Sequence, residues 1–439
     1  MQKELKVIFE PKSVVLFGAS EVNGEEATPA MFFRSIASNI SKFARGRVYG
    51  VDLSGRIDGY EKKLTKIPKG RDLGIVSLPR NLFKKNLSSL LGKRTKALIL
   101  ISGEVDQKQR EVLGNLAKRG KLLLLGPRAT MGVINTAYGL VATPEPDVVL
   151  KRGHIAVVSQ DGGLATVMLN WVSSHRVGIS KFACVGEGMG IDVVDVLQYL
   201  ARDKETRVIC VYLEKIKNGR KLVESICEIT KTKPVVVLYG GTEHEEIFRG
   251  ALKQGKAFQV QNAREIFVIA EGLAKLSPMH GNRVAVITNV SGEGRLLIKF
   301  LSREGLAPAV LSPETVKKIS NKYPSVNISG FVDLGIETKS DVYKYVLEQI
   351  LSDKNVDGVI VINLLKSTIL EPKDVKVLAD AAKKSKDKPV LVLSPAHDDY
   401  LRVCEVLADT KLSVCGHPEE AALAMKFLNT RAKILEKNK

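Results

Sequence analysis

One pattern recurs along almost the whole chain: a short β-branched run, a turn bearing glycine, then an amphipathic stretch of helical period. In the first third, Ser13–Phe17, Val48–Val51, Gly74–Ser77, Ala97–Ile101 and Leu122–Leu125 read as strands with helical stretches between them. Adjacent parallel strands need long crossover connections, and helices are the usual crossover. Alternation of this kind therefore predicts a mostly parallel sheet covered by helices on both faces. An all-helical or all-β fold is excluded. The expected fold class is α/β, beginning with a Rossmann-like unit over residues 1–145, closed by the proline-bearing linker Val141–Lys151.

The rest of the chain repeats itself. Gly153–Gly163 (GHIAVVSQDGG) parallels Gly281–Gly294 (GNRVAVITNVSGEG), each a strand, a small polar turn and a helix start. Thr206–Glu214 parallels Val356–Leu364, and Lys233–Leu238 parallels Lys388–Leu393. Helical segments Asn262–Leu276 and Pro418–Leu428 close the two copies. Solenoid repeats are far shorter than copies of this length. The spacing predicts two similar flavodoxin-like domains at 150–278 and 281–430, separated by Ser277–Asn282.

Composition narrows the function. No apolar run reaches the roughly 20 residues needed to span a bilayer, and the start of the chain lacks the apolar core of a secretory signal, so a cytoplasmic protein without membrane contact is expected. The five cysteines form no CxxC pair, and the six histidines show no metal-ligand spacing, so no metal is expected. No G-x-S-x-G elbow or Walker A motif is present. The net charge is +19, and lysines and arginines crowd the stretch from Glu61 to Lys121. That surface suits an RNA or another polyanion, a phosphate-bearing ligand, or plain solvation. Few aromatic residues interleave with it, which weakens base stacking.

Ligands of open parallel sheets bind beyond the carboxyl ends of the strands, where helix N-termini attract anions. Three loops qualify: Gly18–Gly24, Ser159–Gly163 and Thr288–Gly294. The first lacks the complete G-x-G-x-x-G spacing. Glycines in any of them serve close helix–strand packing equally well.

Taken together, the GAS turn, the SQ-x-G-G-L and TN-x-x-G-x-G helix starts, Gly126-Pro127, the GVIN stretch Gly132–Asn135, YLEKIKNG and the SPETVKKI segment at Ser312–Ile319 resemble the α subunit of NDP-forming acyl-CoA synthetases, relatives of succinyl-CoA ligase. The likeness runs from Glu10 to about Leu428. It implies a CoA-binding first domain followed by two succinyl-CoA ligase-like domains, and a phosphohistidine that carries the phosphoryl group between subunits. ATP or ADP would be bound by an ATP-grasp β subunit as partner. By resemblance, Gly18, Ala19, Ser20, Pro79, Ser102 and Gly103 line the CoA site. Ser159, Gly162 and Gly163, with Asn289, Gly292 and Gly294, open the two phosphate-facing helices, and Glu214 pairs with the histidine. A homo-oligomer is a further expectation.

Departures from the pattern are as informative. The family carries its histidine in a loop after the strand matching Pro234–Leu238; here Tyr239-Gly240-Gly241-Thr242 leads almost directly into the next helix, and His244 alone lies near the gap. Asp161 replaces a serine of the first phosphate helix, Glu293 stands at a proline position of the second, and Glu25-Glu26 replace a lysine-bearing stretch. A carboxylate at a helix start accepts the N–H groups a phosphate would use. Three readings stay open: a CoA-binding homologue with lost or impaired phosphohistidine catalysis, an active ligase using His244, and a scaffold binding RNA through its basic first domain.

Overall fold

The structure is a computed structural model that describes residues 5–21, 27–102, 105–241, 245–365, 369–384 and 387–438. Each of its three sheets is doubly wound. In the first, β1 (Ser13–Gly18), β2 (Arg47–Asp52), β3 (Leu73–Ser77), β4 (Ala97–Leu100) and β5 (Leu123–Leu125) run parallel in the order β2-β1-β3-β4-β5. Successive side chains leave opposite faces, and both faces are covered, so these strands are continuous apolar runs. Val14, Leu16, Ile75 and Ile99 meet Phe33, Ile36 and Ile40 on one side. Val15, Phe17, Val76 and Leu98 meet Phe83, Leu87 and Leu113 on the other.

The second sheet adds β6 (Val133–Asn135), β7 (Leu140–Ala142), β8 (Lys151–Ser159), β9 (Gly178–Cys184), β10 (Val208–Leu213), β11 (Val235–Tyr239) and β12 (Phe258–Val260), ordered β12-β11-β10-β8-β9-β6-β7. Five of these strands repeat the order of the first sheet. The hairpin β6–β7, which precedes residue 145, lies antiparallel on the β9 edge.

The third sheet contains β13 (Arg283–Thr288), β14 (Ala307–Pro308), β15 (Asn327–Ile328), β16 (Val332–Asp333), β17 (Gly358–Ile362), β18 (Val390–Leu393) and β19 (Ser413–Cys415). Its path is β15-β16-β13-β17-β18-β19, with β14 also beside β13. The strands β8, β10, β11 and β12 therefore correspond to β13, β17, β18 and β19, the strand order the internal repeat predicts. The place of β9 is shared by β14, along the start of β13, and β16, along its end. Pro308 cannot donate to the ladder, which keeps β14 short.

Residues 1–174 with 178–263 form one compact unit, and residues 175–177 with 264–439 form another. Helix starts are set locally. Asp106 and Asp192 each complete a capping box, and the Ser312 hydroxyl accepts from the Thr315 N–H ahead of the helix Pro313–Lys322. No helix of the described residues is long and apolar enough to cross a membrane.

Candidate functional site

Strand order reverses between β1 and β3, so the loops after them part at the carboxyl edge of the first sheet, where ligands of open parallel sheets bind. Gly18, Ala19 and Ser20 follow β1, Pro79 caps the helix Arg80–Gly92 after β3, and Ser102 follows β4. The fold thus brings these five to one edge; Gly103 lies outside the described residues. Gly18 is glycine because a Cβ there would lie 1.9 Å from the Phe33 ring. The Ser102 hydroxyl donates to the Leu78 carbonyl at 2.7 Å and accepts from its N–H at 3.0 Å.

Ser20 faces Asp52, a residue the sequence reading passed over. Its hydroxyl donates to Asp52 Oδ2 at 2.6 Å and its N–H to Oδ1 at 2.9 Å. Ser54 gives its hydroxyl (2.6 Å) and its N–H (3.1 Å) to Oδ1, while the Arg56 and Ile57 N–H groups reach Oδ2 at 2.9 and 3.0 Å. Burial alone would raise the pKa of this carboxyl, but the hydrogen bonds from Ser20, Ser54 and Arg56 outweigh it and hold it well below the usual range. The loop after β1 is folded around an internal anion. Arg34 donates to the Ser20 carbonyl, and Arg56 pairs with Glu21 at 3.0 Å. Glu25 and Glu26 lie outside the described residues.

Much of the basic stretch lies at the opposite edge. The amino ends of β2, β1, β3, β4 and β5 carry Arg47, Lys12, Arg71, Lys96 and Lys121, of which only Arg71 is partly buried. Lys96 pairs with Asp72 at 2.7 Å, and Arg71 stacks 5.6 Å above Tyr49. These cations stand away from the edge that carries the CoA candidates.

The second and third sheets share a construction at the loops after β8 and β13. The Ser159 hydroxyl donates to the Asp161 carbonyl (2.7 Å), as Thr288 does to Val290 (2.9 Å). The next residue is a side-chain amide that grips the neighbouring strand's loop. Gln160 Oε1 accepts from the Glu214 and Lys215 N–H groups (2.7 and 3.0 Å), and its Nε2 donates to the Lys215 carbonyl (2.8 Å). Asn289 does the same to Leu364, accepting at 2.9 Å and donating at 2.8 Å. Ser159 and Asn289 therefore shape their loops with the groups the resemblance assigned to a phosphate.

The glycines divide. A Cβ on Gly162 would sit 1.6 Å from Thr130 Oγ1, and one on Gly294 would crowd Phe331 and Thr288 at 3.1 Å, so both answer to packing. Gly163 would meet only Asp161 Oδ1, at 3.2 Å, and Gly292 nothing. These two occupy equivalent places and are the ones a ligand could approach.

The two acids behave differently. Asp161 Oδ1 accepts the Leu164 N–H at 2.7 Å and so caps the helix Gly162–Ser174. Glu293 does not cap its helix, contrary to expectation. Val290 holds the cap position of Ser291–Arg303 with no side-chain bond, and Glu293 is the third residue of the first turn, equivalent to Leu164. Burial first, and Glu419 second, push the Glu293 carboxyl upward; no described hydrogen-bond partner reaches its Oε2.

Glu214 accepts from the Tyr212 hydroxyl at 2.9 Å. Burial, then that carboxylate, push the Tyr212 pKa up to about 12. Beside it a concavity of about 380 Å³ is lined by Gln160, Glu187, Asp192, Lys215, Lys217 and Asn218. Lys217 Nζ donates to the Glu187 and Gly188 carbonyls at 2.6 and 2.7 Å, and Arg110 pairs with Glu187. The connection from β11 to the helix Glu245–Gln254 is residues 240–244, of which 242–244, with His244, lie outside the described residues. Among described histidines, His154 meets the Glu205 carbonyl, His280 meets Glu436, and His417 Nε2 meets Arg264 at 2.8 Å. No group of three or more His, Cys, Asp or Glu suited to a metal occurs among the described residues.

Residues 152–273 match the succinyl-CoA ligase like flavodoxin domain. The chain is 27% identical to the acetate–CoA ligase [ADP-forming] II subunit alpha of Pyrococcus furiosus, over 98% of each chain. It is a divergent relative of the α subunits of ADP-forming acyl-CoA ligases. Among solved structures, the protein PH0766 of Pyrococcus horikoshii OT3 superposes with a TM-score of 0.88 at 26% identity, covering 98% of this chain and 99% of that one. The dinucleotide forming acetyl-coenzyme A synthetase 1 of Ca. Korarchaeum cryptofilum, solved with phosphate and ADP, has the same fold, with a TM-score of 0.85 at 23% identity over 99% of this chain and 98% of that one.

One further carboxylate of this α-subunit relative titrates near neutrality. Glu420 is 2% exposed and meets Arg264 Nε at 2.5 Å. Burial pushes its pKa up to about 7, Arg264 opposing. A carboxyl raised above its unfolded value stabilises fully below that value, and the contribution is lost as pH rises through the folded one. Stability is therefore expected to fall between about pH 5 and pH 8, and Glu420→Gln to flatten that slope. Urea midpoints at both ends of the range read this directly; an unchanged slope in the variant would assign the effect elsewhere.

Proposed function

We propose that the chain is a CoA-binding, α-type subunit of an ADP-forming acyl-CoA ligase assembly in which phosphoryl transfer through a histidine is lost or impaired. One observation carries this reading: Asp161 holds the start of the helix Gly162–Ser174 with its own carboxylate. That helix start attracts a phosphate only while its N–H groups are open and the local field is positive. A carboxylate about 4 Å from a phosphate costs on the order of 4 kcal/mol at an effective dielectric of 20. The brief connection 240–244, which leaves little chain for a histidine-bearing loop, supports the same reading. Because Glu293 does not cap its helix, the argument rests on the second sheet alone.

The first sheet suits CoA at its carboxyl edge. Arg80 and Lys84 open the helix after β3, and Arg34 and Arg56 flank the loop after β1, where they would meet the ligand's phosphates. Ser20 and Ser102 would hold the loops in shape, and Gly18 and Ala19 would line the ligand's approach. Bound CoA would supply the thiol that takes the acyl group. The P. furiosus relative is described as a subunit alpha, which supports an ATP-grasp β subunit as partner and nucleotide binding there. A cytoplasmic homo-oligomer is part of the proposal. The basic amino edge of the first sheet favours a second reading, a scaffold for RNA, whose binding would weaken steeply with salt.

One experiment separates these readings. The protein is mixed with a family β subunit and labelled ATP, and titrated calorimetrically with CoA and with RNA. Saturable CoA binding without acid-labile, base-stable phosphate on the chain is expected. Label that disappears in His244→Ala would make this an active ligase. RNA binding with no heat from millimolar CoA would leave the scaffold.

A further inference from the structure

Glu187 stands where three loops of the unit formed by residues 1–174 and 178–263 meet. The helix Gln107–Lys118, which follows β4, sends Arg110 to it. The two terminal nitrogens of that guanidinium reach the two carboxylate oxygens, Nη2 at 3.1 Å. Its Nε donates to the Val105 carbonyl at 3.0 Å. Val105 ends the loop that begins at Ser102, so one planar fork ties the proposed CoA edge to Glu187. Hydrogen bonds from Arg110 act first, and the charges of Arg110, Arg128 and Lys217 add to them. Against the opposing effect of burial, they hold the Glu187 carboxyl below its ordinary range.

From Glu187 the backbone leads on to a helix start. Its N–H donates to the Pro127 carbonyl at 2.9 Å, and those of Met189 and Ile191 reach Gly126 and Leu124 at 3.0 and 2.8 Å. Gly186 lies against the same turn, where a Cβ would stand 2.3 Å from the Pro127 carbonyl oxygen and 2.5 Å from that of Arg128. Arg128 has a φ of 61°, a region that a residue with a side chain rarely keeps unless its surroundings impose it. Two residues on, Thr130 Oγ1 fills the space beside Gly162, where the helix Gly162–Ser174 begins. The turn 126–130 is therefore held from both sides in a conformation it does not favour by itself.

A line of contacts transmits a displacement when one of its members has two arrangements. The turn 126–130 supplies that member. Released by Glu187, Arg128 relaxes to negative φ and Thr130 draws away from Gly162. Lys217 also donates to the Glu187 and Gly188 carbonyls, from the loop after β10. It steadies this turn but makes no link to the loop after β4.

We propose that Glu187 is a positioning residue that couples the loop after β4 to the start of the helix Gly162–Ser174. A ligand that fixes the loop fixes Arg110, and through Glu187 it holds Thr130 on Gly162. Only the choice of CoA as that ligand rests on the proposed function.

The test is hydrogen exchange on the full chain, read by mass spectrometry in peptides covering residues 160–166, with β1 as internal reference. Arg110→Met is expected to speed exchange there about fivefold and to leave β1 unchanged. Glu187→Gln should do the same, and Arg110→Met added to it should bring less than about a further twofold, because both act through one path. CoA should slow these peptides about fivefold in the parent and leave them unchanged in Glu187→Gln, whose CoA affinity stays within about threefold of the parent's. If calorimetry shows no CoA binding, the CoA reading falls and the two variants alone decide the coupling. Exchange at 160–166 untouched by Arg110→Met, effects that simply add in the double variant, or a change shared equally by β1 overturns the proposal. Bound CoA that leaves those peptides unslowed in the parent does the same. Should Glu187→Gln fail to fold, Arg110→Lys takes its place: it keeps the charge, gives up the fork, and should show the same local change at smaller size.

Discussion

Replacing Asp52 with alanine is expected to cost about 3–5 kcal/mol of the stability of the first sheet and to release the loop after β1. The carboxylate is fully enclosed, and it gathers hydroxyls from Ser20 and Ser54 and N–H groups from Ser20, Ser54, Arg56 and Ile57. Removing it strands the two buried Ser20 donors, each at about 1–3 kcal/mol, and leaves the more exposed donors of Ser54, Arg56 and Ile57 to water. Asn at this place keeps the shape but loses the charge-assisted part of each bond, so Asp52→Asn should fall between the two. The carboxyl is held below its unfolded pKa of 3.8. Its contribution is therefore complete above that value and lost as pH falls towards the folded one. Hydrogen exchange checks the mechanism, because the Ser20, Ser54, Arg56 and Ile57 amides should all lose protection together. If calorimetry shows less than about 1 kcal/mol and those amides stay protected, the internal-anion account of this loop is wrong.

Gly162→Ala should be the most damaging glycine replacement at the candidate site, at about 2–4 kcal/mol. The new Cβ would stand 1.6 Å from Thr130 Oγ1, and Thr is stiff at χ1, so relief requires moving a helix or a loop. A double-mutant cycle isolates the clash: Thr130→Ala should restore at least half of what Gly162→Ala removes. Gly163→Ala and Gly292→Ala serve as controls. Neither meets backbone or a core side chain, and alanine is the better helix former by about 1 kcal/mol, so both should be neutral or stabilising. Should Gly162→Ala melt with the parent while Gly292→Ala falls by several degrees, the assignment of these glycines to packing and to ligand approach is reversed.

How far the residues speak for themselves differs between loops. The strand runs were legible because a parallel strand buried on both faces must be apolar throughout, and Val235–Tyr239 or Val390–Leu393 can hardly be anything else. The repeat was legible for the same reason, since two copies of one strand order require the same sequence of runs and turns. Asp161 could be read as a cap from its place before Gly162. Glu293 misled because helix phase, three residues' difference, decides whether an acid closes a helix start or lies against a neighbouring helix, and the groups that act on it, Glu419 and His417, are more than a hundred residues away.

What the amino-acid sequence determined alone is the fold class, the threefold alternation, the internal repeat and the edge of each sheet where ligand loops must lie. All follow from local propensity and period, which are properties of neighbours in the chain. The tertiary structure decided which groups at those edges remain open. Ser20 and Ser102, Gln160 and Asn289, and Gly162, which answers to Thr130, are spent on partners between 24 and 75 residues distant. Asp52 and Asn363 show the same rule from opposite sides. One is a charge saturated by donors folded around it, and the other an amide that no described residue meets. A hydrogen bond is a relation between two places in space, and distance along the chain does not predict whether the second place is filled.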